Sequence, residues 1–142
     1  SDLPRWLARR IIAFQSHTTS NPTTFAQYGA IAALEGKADK EVRHMCEEFA
    51  KRRDLVYELI SAIPGVKCIR PQGAFYLLCD VSSFGMTSEE FCNRLLAEEK
   101  LAAIPCCSFG AEGQIRLSYA CSEENIRDAA GRLDAFCREH GN

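Results

Sequence analysis

Apolar residues recur at three- and four-residue intervals through most of the chain and switch to alternation in a few short runs. Between Asp39 and Ile63, the residues Val42, Met45, Cys46, Phe49, Val56, Leu59, Ile60 and Ile63 keep the helical spacing, with Lys51, Arg52, Arg53 and Asp54 on the opposite face. This predicts the longest helix, ended by Pro64-Gly65. Upstream, Leu3 to Phe14 reads as a short amphipathic helix. The polar cluster after it, QSHTTSNP, reads as a loop whose Asn21-Pro22 supplies an N-cap and a first-turn proline for an alanine-rich helix from Thr23 to Leu34 that stops at Gly36. Val66 to Arg70 and Ala74 to Val81 are strand-like, joined by Pro71-Gln72-Gly73 as an antiparallel unit. Thr87 with Glu90 forms a capping box for a helix Ser88 to Glu99 that turns Phe91, Leu95 and Leu96 inward. Leu101 to Pro105 and Gln114 to Ala120 read as two further strands, and Ser122 caps a last helix reaching His140 with Ile126, Ala130, Leu133 and Cys137 on one face. Helices on one face of a small, mostly antiparallel sheet make an α/β fold, an α+β sandwich.

Composition sets limits on what such a fold does. The 142 residues are 46% hydrophobic and 25% charged, enough for one folded domain with a core. Seventeen basic against nineteen acidic side chains leave a net charge of −2, so no global basic field points to nucleic acid or an anionic membrane. No apolar run approaches the roughly 20 residues of a membrane span. The eight cysteines fall at apolar positions of the periodic pattern, without a CxxC pair or a nearby His pair at metal spacing. They read as reduced thiols of a cytoplasmic chain with no metal site, and Cys106-Cys107 as two thiols on opposite faces of a strand end.

Arg116 is the residue to which physical chemistry draws attention. Alternation in Gln114 to Ala120 puts Ile115, Leu117 and Tyr119 on one face and Arg116, Ser118 and Ala120 on the other. A guanidinium among small neighbours needs a planar anionic partner, and its fork matches a carboxylate. That partner is a ligand carboxylate or one of the chain's own acids; an exposed edge strand is the third possibility. The loop Gln15 to Asn21 gathers hydroxyls, an amide and His17, the kind of polar segment where binding groups sit. No carboxylate or Cys is spaced to orient His17, and no nucleophile elbow, GxGxxG or P-loop is present. The five lysines, Lys37, Lys40, Lys51, Lys67 and Lys100, read as surface charges. No catalytic residue is assigned within the chain.

Three strings, QSHTTSNPTTFAQYGAIAALEG, RPQGAFYLLCDV and FGAEGQIRLSYACSEENI, in this order, closely resemble the C-terminal part of fold-type I, pyridoxal-phosphate-dependent aminotransferases, most of all the bacterial-type aspartate aminotransferases. The likeness covers essentially the whole chain. It implies that residues 1–36 are linker helices from a pyridoxal-phosphate domain and 37–142 the small C-terminal domain, so that a long helix leads in from an absent large domain. It implies that Arg116 grips the α-carboxylate of an amino or 2-oxo acid. Gly73, opening the GAFY stretch, lines the substrate entrance, while Ser20 and Asn21 lie near the active site of a homodimer partner. Pyridoxal 5'-phosphate would be held by the large domain, whose lysine and phosphate cup this sequence does not contain. The expectation is therefore a fragment of an enzyme moving an amino group between an L-amino acid, aspartate foremost, and 2-oxoglutarate, inactive alone. Bare surfaces around Trp6, Ile11 and Phe14 would then favour self-association. The alternative is a non-catalytic carboxylate-binding or protein-interaction module on the same fold. One departure stands out: Cys106 replaces the family's usual glycine in the turn before Phe109, and its side chain is expected to alter the turn and crowd the entrance, which bears on strict aspartate specificity.

Overall fold

The computed structural model describes residues 3–141. The chain divides into two compact units, Ser1–Arg43 and His44–Asn142.

The first unit contains α1 (Arg5–Thr18) and α2 (Thr24–Leu34). Helix α1 runs a turn further than its apolar pattern predicts, so Gln15 to Thr18 are helical rather than loop. The hydroxyls of Ser16 and Thr18 donate back to the carbonyls of Ala13 and Phe14 at 2.8 and 3.1 Å, which lets polar residues persist in the last turn. Asn21-Pro22 also departs from expectation. The N-cap of α2 is Thr23, with no side-chain cap bond, and Pro22 instead offers its carbonyl to Nε2 of Gln27 at 2.8 Å. Gly36 behaves as read: at φ +77° it closes α2 with bonds from its own N–H to Ala33 and from Lys37 N–H to Ala32. Trp6, Ile11 and Phe14 are all exposed.

Helix α3 (Asp39–Ser61) starts in the first unit and lies mainly in the second, where Val56 and Ile60 are its buried residues. Gly65 then turns the chain at φ +84°, and a Cβ there would meet Cζ of Phe84 at 2.8 Å, so only glycine fits. The sheet is wholly antiparallel in the order β1 (Lys67–Cys68), β2 (Tyr76–Asp80), β4 (Gln114–Ser118), β3 (Ile104–Pro105). β4 is thus an interior strand. Its Ile115 and Leu117, with Leu77 and Cys79 of β2, form the buried face. Against that face pack α4 (Ser88–Glu99) and α5 (Glu123–His140), which contribute Phe91, Leu95, Ile126, Leu133 and Phe136 to the same cluster. Phe84, Phe91 and Phe136 meet edge to face at 5.6 and 5.0 Å.

Both predicted caps form. Oγ1 of Thr87 accepts from Glu90 N–H and Oγ of Ser122 from Asn125 N–H. Leu96 corrects the reading of α4: it is 50% exposed while Leu95 is fully buried, because the sheet-facing stripe passes through Phe91, Cys92 and Leu95. The start of α4 is tied to the start of β4. The Glu112 carboxylate accepts from the backbone N–H of Ser88 at 2.6 Å and of Gly113 at 3.2 Å, and Gly113 N–H also donates to the buried Oγ of Ser88 at 2.8 Å.

Two outcomes test this packing. Leu95→Ala should cost about 2–5 kcal/mol in chemical denaturation, the range for a cavity in a closed core. Leu96→Ala should stay within about 0.5 kcal/mol, as surface changes do. The backbone bonds from Ser88 and Gly113 hold the Glu112 pKa below the usual carboxylate range. A depressed folded-state pKa stabilises above the unfolded value and is lost as pH falls through the folded one. Acid titration should therefore show Glu112→Gln less stable than the wild type near neutrality, with the gap closing as pH drops below about 4.

Candidate functional site

The exposed face of the sheet is set by the same alternation that builds the core. In β4, Gln114, Arg116 and Ser118 point away from the helices; in β2, Tyr76, Leu78 and Asp80 do. The register places Arg116 between Leu78 and Ile104, with Tyr76 opposite Ser118 one step along. Arg116 is half-buried. Its guanidinium carbon lies 4.4 Å from the Tyr76 ring centroid and 5.5 Å from that of Phe109, so two aromatic faces hold the cation. Phe109 closes a 3-10 turn (Cys107–Phe109) after β3, and Gly110 at φ +77° reverses the chain behind it.

Among the described residues no carboxylate lies within ion-pair distance of Arg116; the ion pairs all involve other residues. Among the described residues no internal ion pair accounts for Arg116, and its strand is not at the edge of the sheet. The site is a groove of about 700 Å³ bounded by Lys67, Arg70, Gln72, Gly73, Tyr76 and Arg116. Arg70 and Asp80 there already have partners. Arg70 donates to Asp54 at 2.6 Å, and with Arg53 it pulls the Asp54 pKa down to about 2. Asp80 accepts from the Ser82 hydroxyl at 2.6 Å and backbone N–H at 2.9 Å, which keeps it ionised below the usual carboxylate range, and Lys67 sits opposite it in the ladder. Arg116, half-buried and without a carboxylate partner among the described residues, is the cation on the open sheet face that an incoming anion can pair with.

Gly73 lies on the rim of this groove, but the left-handed residue of its turn is the next one, Ala74, at φ +59°. Tyr119 holds it there. Its buried ring leaves the sheet beside Phe49, its hydroxyl donates to Ala74 O at 2.9 Å, and its N–H donates to Phe75 O at 2.9 Å. Ser20 and Asn21 belong to the first unit. Both are exposed, and Ser20 takes φ +57° with its hydroxyl on Ser16 O at 3.3 Å. His17 lies in the last turn of α1. The structure thus joins Gly73 and Arg116 in one groove.

Cys106, expected to alter the turn and crowd the entrance, does not line the groove that holds Arg116 and Gly73. Its φ of −93° suits any residue, and it is 2% exposed with its thiol toward Ile104 O at 3.7 Å, so the side chain is stored away from the entrance. Cys107 is half-buried in the 3-10 turn, so the pair lies beyond the strand rather than across its end. Burial pushes the Cys106 thiol up, against the opposing charge of Arg116. The aromatic pair around Arg116 is what sequence reading missed. Tyr76 is an outward position of β2, and nothing in the sequence pattern brings Phe109 to it.

All five lysines are exposed, so none offers the buried, desolvated amine that a covalent cofactor anchor requires. The residues present do not fit a pyridoxal-phosphate site.

The fold is α/β, with an arginine on the open sheet face that is stacked on two aromatic rings and has no carboxylate partner among the described residues. The match to the family model for aminotransferases of class I and II over residues 3–133 shows that the chain belongs to that family. It is 46% identical over 128 residues to an aspartate aminotransferase of Bacillus sp. strain YM-2, covering 87% of this chain and 32% of that one. An aromatic aminotransferase of Pyrococcus horikoshii superposes with a TM-score of 0.86 at 34% identity, over 96% of this chain and 37% of that one. For an aspartate aminotransferase of Thermus thermophilus solved with maleate the TM-score is 0.77 at 38% identity, over 87% and 32%. The chain spans about a third of the length of these relatives.

Tyr119→Phe removes one buried hydrogen bond and keeps the ring, so thermal or urea unfolding should register a loss of about 1 kcal/mol. Hydrogen exchange should rise at the amides of residues 73–75, because the carbonyl that fixes the rim loses a donor.

Proposed function

We propose that this chain is the small domain of a pyridoxal-phosphate-dependent aminotransferase that acts on aspartate with 2-oxoglutarate as amino acceptor, and that Arg116 binds the α-carboxylate of both substrates. One observation carries this reading: a half-buried guanidinium on an interior strand, stacked on Tyr76 and Phe109, with no carboxylate of its own among the described residues. Fixing the carboxylate orients the amino acid and removes rotational freedom that the reaction would otherwise have to pay at the transition state. Gly73 contributes a rim without a side chain to obstruct the groove. Ser20 and Asn21 serve the active site of a second subunit in a homodimer.

In this reading residues 1–36 are linker helices and residues 37–142 the small domain, and the protein works in the cytoplasm. The cofactor, an electron sink when bound, is held by a large domain, and the exposed lysines here take no part. The chain alone therefore binds carboxylate without transaminating. The relatives named aspartate aminotransferase and the Thermus structure with maleate, a dicarboxylate, support the substrate class.

The test is made in the full-length enzyme carrying this chain. Arg116→Ala should lower kcat/KM by about 2–5 kcal/mol, the scale for removing one partner of a close charge pair. Arg116→Lys should recover only part of it, since an ammonium cannot present the planar fork. Unchanged kcat/KM in Arg116→Ala would end the assignment.

A further inference from the structure

Cys68 and Cys79 are direct cross-strand partners in β1 and β2. The hydrogen-bond phase of β2 fixes what kind of pair they form. Tyr119 N–H donates to Phe75 O at 2.9 Å and Val81 N–H to Gly113 O at 2.8 Å. With Leu77 paired to Leu117 and Cys79 to Ile115, residues 75, 77, 79 and 81 all turn their backbone polar groups toward β4. Cys79 therefore points no N–H or C=O at β1, and its pairing with Cys68 is of the non-hydrogen-bonded kind. Such pairs bring Cα atoms to about 4.5 Å, with the side chains at their closest. That spacing is inside the roughly 4.4–6.8 Å that a disulfide bridges. Both side chains stand on the helix-facing side: Cys79 is buried, and Cys68 is half-buried against the core.

We propose that Cys68 and Cys79 form a peroxide-responsive dithiol, in which the accessible Cys68 is oxidised first and the buried Cys79 closes a cross-strand disulfide. The Cys68 thiolate attacks one oxygen of hydrogen peroxide; the S–O bond forms, the O–O bond breaks, and the departing hydroxide is protonated to water. The sulfur of Cys79 then attacks the sulfenic acid. The S–S bond forms, the S–O bond breaks, and the Cys79 proton leaves with the hydroxide as a second water. In total two thiols lose two electrons and two protons to one peroxide. The facing of the two thiols lowers the Cys68 pKa and raises that of Cys79, which favours the thiolate on the more accessible sulfur. Burial pushes Cys92 and Cys137 up to about 11 and about 12, so they compete poorly. The bond would staple the two-residue edge strand to β2 and close a loop containing Arg70, Gln72 and Gly73, the rim of the carboxylate groove.

The experiment treats the folded protein carrying this chain with a small excess of hydrogen peroxide at neutral pH, alkylates the remaining thiols, and maps the peptides by mass spectrometry. Trypsin leaves both cysteines on one peptide because Arg70 precedes Pro71, so chymotryptic cleavage at Phe75 or Tyr76 is needed to separate them. The expected product is a Cys68–Cys79 linked peptide, two hydrogens lighter and released by dithiothreitol, with Cys92 and Cys137 still alkylated. In Cys68→Ser the Cys79 thiol should remain reduced at the same dose; this variant places a hydroxyl at a half-exposed position and is expected to fold. Cys79 paired with any other cysteine, Cys68 ending as sulfinic acid beside reduced Cys79, or both thiols intact while Cys46 is oxidised would each overturn the proposal.

Discussion

An interior strand can bury only every second side chain, and in β4 that constraint settles which side chains build the core and which stand on the open face. Ile115 and Leu117 fill the space beneath α4 and α5, so the position between them must face the other way. Had β4 been an edge strand, Arg116 could have leaned into water. Between β2 and β3 it has Leu78 and Ile104 at its sides and aromatic rings across its faces, which hold the guanidinium without matching its charge. A cation kept half-dry and unpaired is costly unless an anion is supplied from outside. The core and the open face that carries Arg116 are thus two consequences of one register.

Much of this was legible in the sequence because it is local. Thr87 and Ser122 cap their helices, Gly36 and Gly65 end theirs, and the two faces of β4 follow from alternation. Readings failed where a longer-range contact decided. Leu96 obeys the helical period as well as Leu95, but the direction of the sheet selects one of them. Asn21-Pro22 has a sound capping chemistry, yet the side chain of Gln27 claims the Pro22 carbonyl and the helix starts later. Ser16 and Thr18 read as loop because the pattern scores polarity, while their hydroxyls feed the helix's own carbonyls. At the site, Arg116 was found by its chemistry; the turn that brings Phe109 to it is a tertiary fact.

The cysteines show the same divide. As sequence they are eight small hydrophobes at periodic positions, and for Cys92, Cys106 and Cys137 burial bears that out. Cys68 and Cys79 are eleven positions apart with no motif between them, and only the hairpin register sets them face to face. The same register sends the Cys68 segment onward through Ile69 and Arg70 to the groove, so a covalent bond at the edge strand would reach the groove wall without crossing the core.

The choice of arginine over lysine at position 116 follows from the surroundings that the fold supplies. Lys67 and Arg70, on the same rim, are exposed and each has an acid nearby, so neither needs shape to do its work. Position 116 offers two aromatic faces and, among the described residues, no carboxylate acceptor. A planar, weakly hydrated guanidinium stacks there and still presents its fork edge-on, whereas an ammonium would keep its water and offer a single point of charge. Because the clamp comes from Tyr76 on β2 and Phe109 on the turn after β3, the direction of the fork is fixed by the whole sheet rather than by the arginine's own flexible stem. That preorganisation spends folding energy in advance on an orientation that a flexible cation would have to acquire at the moment of binding an anion.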